Sequence, residues 1–354
     1  MIKSVIKLWA LVSIIFLSAC IEEIDFDVPN EFQNTTVIVG KIVKGNPSTV
    51  EVIIQKVFDF AFEGEVFVNA QSVRVVNEAG NKLDVPVSGP GEYELKIPDG
   101  SDFDVETGSS YGLEVVLFDG QSFKSDFEVI IPVPEMDNVD HRLVNKEVLN
   151  FDDELEIQPR IEYAVNTSLI ADANQARTSL KWDFERTYKQ SDTEEGECYV
   201  SGFADFDLIQ TINAMDFTSE SLSDFLVLEQ RLSNTMVEGQ YISVIQEALD
   251  ENAIQFWEQV QGLSSNSGTF YEPPPGQILS NFETTSDMEG SVFGYFYGTQ
   301  HDTIHVFVDS IFINQFAPIC PRPPGQNPNP PCDDCCDCTL LDNSTTIKPS
   351  FWTM

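Results

Sequence analysis

The chain has little of what enzymes and nucleic-acid binders are built from. It carries three histidines, His141, His301 and His305, and 19 lysines and arginines against 58 aspartates and glutamates, a formal net charge of −39. Charge of that sign repels phosphate backbones and anionic headgroups, which excludes nucleic acid as a partner. No phosphate-cradling glycine loop or zinc-protease helix occurs in the 354 residues. Carboxylate pairs such as Asp152-Asp153 are too common to single one out, so no catalytic residue is assigned and the chain reads as non-enzymatic. Long apolar runs are missing too, except at the start.

There, Lys3 and Lys7 introduce an apolar run from Leu8 to Leu17 that is too short to span a bilayer. It ends in Leu17-Ser18-Ala19-Cys20, which fits a lipobox. Residues 1–19 are read as a lipoprotein signal peptide, and Cys20 as the lipidated mature N-terminus followed by an anchor and tether over 20–34. An ordinary secretory signal with an incidental cysteine is the alternative. Acyl chains such as palmitate contribute roughly 0.8 kcal/mol per buried methylene, so an anchored domain needs no spanning helix. Glu22-Glu23, directly after the cysteine, resemble the tag that sends Bacteroidota lipoproteins to the exterior face of the outer membrane.

With 42% apolar residues and 26 phenylalanines the chain can bury sizeable cores, and its length suggests two domains. From 35 to 134 short alternating runs, "SVRVV", "YELKI" and "LEVVL", are separated by turn pairs such as Gly80-Asn81 and Asp119-Gly120. Period-2 alternation at this spacing predicts an immunoglobulin-like β-sandwich. "PVPEMD" reads as the linker out of it. Residues 135–354 contain further strand-like runs, "LEIQPRIEYAV", "TSLKWDFERTY", "YISVIQ" and "IHVFVDSIFI", and one helix near 250–262. Asp250 can cap that helix, Gly262 can end it, and Ala253, Phe256, Trp257 and Val260 form a stripe for core packing. The expected fold class is mainly β: a sandwich followed by a β-rich domain with one packed helix.

His301 and His305 share "HDTIH", but the run alternates as a strand, and four strand residues span roughly 13 Å, too far for both rings to bind one ion. No metal site is assigned. "DGSDFDVETG", Asp99 to Gly108, has the alternate acids of a calcium loop without the EF-hand glycine and distal glutamate, and reads as a solvated hairpin turn. Six cysteines follow Cys20: Cys198, Cys320, Cys332, Cys335, Cys336 and Cys338. In an exported chain they suggest disulfides stapling a Pro- and Cys-rich tail over 320–338, with a thiolate cluster at the last four as the alternative. The proline-stiffened "YEPPPGQILSNF" offers Tyr271 and Phe282 as partner-binding candidates, against the alternative of a rigid core-crossing connection.

In order along the chain, "TVIVGKIVKG", "NAQSVRVVNEAG", "GSSYGLEVVLFDGQSFKSD", "LKWDFERTY", "ENAIQFWEQVQ", "GTFYEPPPGQILSNF", "GSVFGYF" and "KPSFW" resemble a Bacteroidota lipoprotein family, domain of unknown function 4249. That resemblance implies a companion of an outer-membrane TonB-dependent transporter and its associated surface lipoprotein in nutrient uptake. It brings no cofactor. A glycan or peptide hydrolase with unassigned carboxylates, or a metal-binding lipoprotein, are the other readings.

Overall fold

The computed structural model describes residues 35–56, 66–149, 154–171, 177–192, 196–203, 209–264, 279–286, 291–308, 316–320, 335 and 337–353. The first part of the chain forms β1 (Thr36–Lys44), β2 (Ser48–Lys56), β3 (Ala70–Asn77), β4 (Lys82–Asp84), β5 (Val87–Gly89), β6 (Glu92–Ile97), β7 (Ser110–Leu117), β8 (Ser122–Ser125) and β9 (Glu128–Val129). Then come β10 (Met136–Leu149), β11 (Leu155–Ser168), β12 (Ser179–Ser191), β13 (Glu197–Phe203), β14 (Gln210–Ile212), β15 (Ser221–Arg231) and β16 (Gln240–Leu249). Helix α1 (Glu251–Ser264) precedes β17 (Phe282–Thr284), β18 (Val292–Phe293), β19 (Phe296–Val308) and β20 (Ser344–Thr345).

These strands make three sheets. The longest runs β20-β13-β12-β16-β19-β1-β2-β6-β5, with β14 on β12 and β18 on β1. A second runs β17-β8-β7-β3-β4 with β9 on β7, and β10-β11-β15 is the third. Ile38, Val52, Val75, Leu113 and Phe123 pack one core between the second sheet and one half of the long sheet. Ile161, Tyr163, Trp182, Ile242 and Val306 pack another between the third sheet and the other half. Phe296 belongs to the first core, Val306 and Val308 to the second, and all three are even-numbered residues of β19. Alternate residues share a face, so both small sheets lie on the same side of one common wall.

The expected break near residue 134 is not where the architecture divides. β19 pairs parallel with β1, Gly40↔Phe296 through Lys44↔Gln300, and antiparallel with β16, Gln240↔Val308 through Glu247↔His301. The C-terminal half thus returns to complete the first sandwich: β17 joins β8, β18 joins β1, and Phe282 and Phe296 enter the first core. Pairing β1 with this distant segment satisfies an edge that would otherwise stand open. At the junction Gly294 has φ +114°, and a Cβ there would overlap the Ile38 carbonyl. The "PVPEMD" linker is pinned as well, since Gln246 Nε2 donates to the Pro134 carbonyl at 2.7 Å and Met136 N–H donates to Asp302 Oδ2 at 2.8 Å.

Helix α1 follows the capping logic, with Asp250 Oδ1 accepting from Ala253 N–H at 2.7 Å. It runs past Gly262 to Ser264. Its apolar stripe covers the opposite face of the long sheet, Phe256 stacking on Tyr295 at 5.2 Å and Trp257 meeting Tyr297 edge-on at 6.1 Å. β16, covered on both sides, is buried along nearly its whole length. Asp99 to Gly108 is not a hairpin turn. β6 and β7 belong to different sheets, and the loop between them carries Phe103 and Val105 into the first core.

Candidate functional site

Of the residues singled out by sequence, Cys20, Tyr271, Cys332 and Cys336 lie outside the described residues. Phe282 is not a surface anchor: it is buried in the first core, where the strand alternation of β17 turns it inward. Cys198 is bonded to Cys338 and Cys320 to Cys335, so the tail is stapled to β13 and the thiolate cluster loses two of its four members. His301 and His305 stand on strand β19 as expected. His305 Nδ1 lies 2.8 Å from Ser243 Oγ, its ring stacks on Phe351 at 4.0 Å, and burial lowers its pKa. Among the described residues no three His, Cys, Asp or Glu side chains gather to hold a metal, and no helix is long and apolar enough to cross a membrane.

Two charged clusters that local sequence did not reveal lie under α1. In the first, Glu247 receives Lys41 Nζ at 2.6 Å, Lys181 Nζ at 3.4 Å and the Tyr297 hydroxyl at 2.9 Å. Asp183 pairs with both lysines, and Lys181 lies 4.9 Å from the Trp257 ring centre. Burial alone would raise the Glu247 carboxyl, but Lys181 and Lys41 outweigh it and hold the pKa down at about 2. Burial would likewise lower the Lys41 ammonium, and Glu247, Asp183 and Glu51 together hold it well above its usual value. A carboxylate this firmly ionised donates no proton near neutral pH. The cluster fixes the register of β1, β19, β16 and β12 across the junction between the sandwiches.

In the second cluster, Glu128 Oε1 accepts from Asn281 Nδ2 at 2.8 Å and from the Tyr295 hydroxyl at 2.9 Å, and the carboxyl faces Asp250. Burial, opposed by Asn281 and reinforced by Asp250, pushes the Glu128 pKa up to about 7. Asp250 also borders a cleft of about 570 Å³ lined by Pro132, Arg177, Thr178, Asn213 and Gln255, within the size range of small-molecule sites. A second cavity of about 410 Å³ lies between Lys189, Glu197, Tyr199, Phe307 and Trp352.

The third feature is a projecting hairpin. β10 and β11 pair from Met136↔Thr167 to Leu149↔Leu155, while β15 accompanies β11 only over Arg160–Ser168. Leu143, Leu149, Leu155 and Ile157 share the face that carries Ile161 and Tyr163 into the second core. Past the end of that core they are exposed, Leu155 and Ile157 at 69%. On the other face Arg142 pairs with Glu162 and Asp224, Lys146 with Glu162 and Glu229, and Arg160 with Glu229.

A family profile matches residues 21–305, most of the chain and nearly all of both sandwiches. The chain belongs to the DUF4249 family, a domain of unknown function. No curated protein matches this DUF4249 chain. The match spans both sandwiches that share the long sheet through β19, so the joined double sandwich, not one half of it, is the part shared with DUF4249.

Proposed function

We propose that this DUF4249 protein is a lipid-anchored surface protein of the outer membrane, held by Cys20 and facing the exterior. In this reading it is a non-enzymatic accessory binding component of a TonB-dependent nutrient-uptake system. The observation that carries the reading is the sequence of parts: an export signal ending in a lipobox, a short tether, and a double sandwich whose halves are joined through β19. Sandwich loops and edges held on so rigid a scaffold suit contact with another macromolecule. The strongly acidic composition favours a partner with basic surface.

The test is to tag the lipoprotein in its own cells, solubilise the outer membrane gently and identify what stays bound by mass spectrometry. A transporter barrel in near-stoichiometric yield supports the reading. Recovery of the protein alone, even after cross-linking, removes it.

A hydrolase working through carboxylates is the second reading, and one observation favours it: Glu128, with a pKa near the operating pH of a general acid, faces Asp250 at the border of the larger cleft. Turnover of surface polysaccharide or peptide by the purified protein, abolished in Glu128→Gln, would establish it.

A further inference from the structure

We propose that the free end of the β10–β11 hairpin is a protein-docking arm. Its face of Leu143, Leu149, Leu155 and Ile157 packs on an apolar patch bordered by basic side chains on a different protein. The inference rests on the reading above only in taking the protein to work by binding another macromolecule.

Strand alternation makes the argument. The row that fills the core with Ile161 and Tyr163 continues outward as Ile157 and Leu155, opposite Glu147 and Leu149. A hairpin that merely overran its sandwich has no reason to carry Leu149, Leu155 and Ile157 outward on one face, where Asn145 and Glu147 are the polar residues among them, because water meets both faces there. The opposite face is tied by ion pairs, Arg142 Nε to Glu162 at 2.9 Å and Arg160 Nη1 to Glu229 at 2.8 Å. This holds the ribbon in one shape before any partner arrives and lowers the ordering cost of binding.

Charge selects the partner. The arm's cations are turned to carboxylates, Arg142 to Glu162 and Asp224, and Lys146 and Arg160 to Glu229, whereas Glu147 stands on the leucine-bearing face across from Ile157, and Glu156, on the other face, accepts from Gln158 Nε2. A second copy would bring the same acids against these, and an anionic lipid surface would be repelled in the same way, so a basic-bordered protein is the occupant that fits. Direction agrees. β1 enters at Thr36, level with Val292, and runs parallel to β19. Near the far end of β19, where Val308 pairs with Gln240, Gln240 reaches Gln230 and through it Tyr163. The hairpin extends beyond Tyr163, away from the end at which the tether arrives.

The experiment places a photo-cross-linking phenylalanine analogue at Leu155 or Ile157 of the full-length lipoprotein in its native cells. The control position is Phe118, exposed at 74% on the first sandwich. One protein captured from both arm positions and not from Phe118 is expected. That protein, purified, should bind with an affinity that falls at least tenfold in the combined variant Leu149→Ser, Leu155→Ser, Ile157→Ser, whose unfolding midpoint stays unchanged, and should weaken with added salt.

Capture of only a second copy or lipid, equal capture from Phe118, or unchanged affinity in the combined variant overturns the arm. If the lipoprotein still co-purifies with a barrel and the arm captures nothing, the uptake reading stands and the arm fails. If the arm captures a partner that is no part of an uptake system, the arm stands and the uptake reading fails.

Discussion

Lys41 and Glu247, 206 residues apart in sequence, meet at 2.6 Å beneath α1, an ion pair that ties β1 to β16 across the intervening β19. Glu247→Gln removes the fully buried one of the two carboxylates that Lys41 and Lys181 share, leaving Asp183, and should cost about 3 kcal/mol at neutral pH. The Glu247 pKa is lowered from 4.5 to about 2 in the fold, so its contribution is present above 4.5 and is lost as pH falls toward 2. Denaturant titrations at several pH values should therefore show the gap between wild type and variant closing on acidification. A gap independent of pH would contradict the assignment.

Glu128 gives the opposite slope. Its pKa rises from 4.5 to about 7 on folding, so the folded state holds the proton more tightly and stability declines as pH rises through that interval. The groups facing it are Asp250 before α1, Tyr295 before β19 and Asn281 before β17. Glu128→Gln imitates the protonated form. It should match wild type near pH 4.5 and exceed it by on the order of 1–3 kcal/mol at pH 8, read from unfolding midpoints.

The two disulfides differ in the loops they close. Cys198–Cys338 spans 140 residues and Cys320–Cys335 spans 15. Chain entropy assigns about 5 kcal/mol to the former and about 3 to the latter, so Cys198→Ser should be the more damaging change in a non-reducing melt. Peptide mapping of the unreduced protein should recover both linked pairs; Cys198 found linked elsewhere would refute the pairing.

Phe282→Ala tests whether this residue belongs to the core or to a binding surface. Loss of its ring from the first core should cost about 3–5 kcal/mol while any partner affinity, measured on the folded fraction, stays unchanged. A stable variant with weakened binding would restore its surface role.

Gly294→Ala acts at the weld itself. Its positive φ and the Ile38 carbonyl both oppose a side chain, and the change should destabilise by at least about 3 kcal/mol. Because β18 and β19 both abut this residue, hydrogen exchange should rise in β1 as well as around residue 294.

Local order was legible because it depends on neighbours in sequence. Alternation in "YELKI" and "LEVVL" marked β6 and β7, and Asp250 with the Phe256-Trp257 stripe marked α1. Lys41, Lys181 and Glu247 carried no such mark, since each is an ordinary charged residue on an alternating strand until three distant strands align.

By itself the sequence determined the mainly β class, the packed helix and a strongly acidic charge balance. Those properties follow from residue periodicity, composition and charge. Only the tertiary structure decided that β19 joins two sandwiches into one wall, that Phe282 is core, and that the β10–β11 hairpin carries its apolar row out into solvent. Each of these depends on which distant strand lies alongside, or stops short, and the energy of strand pairing across hundreds of residues leaves no periodic trace in the segments that pair.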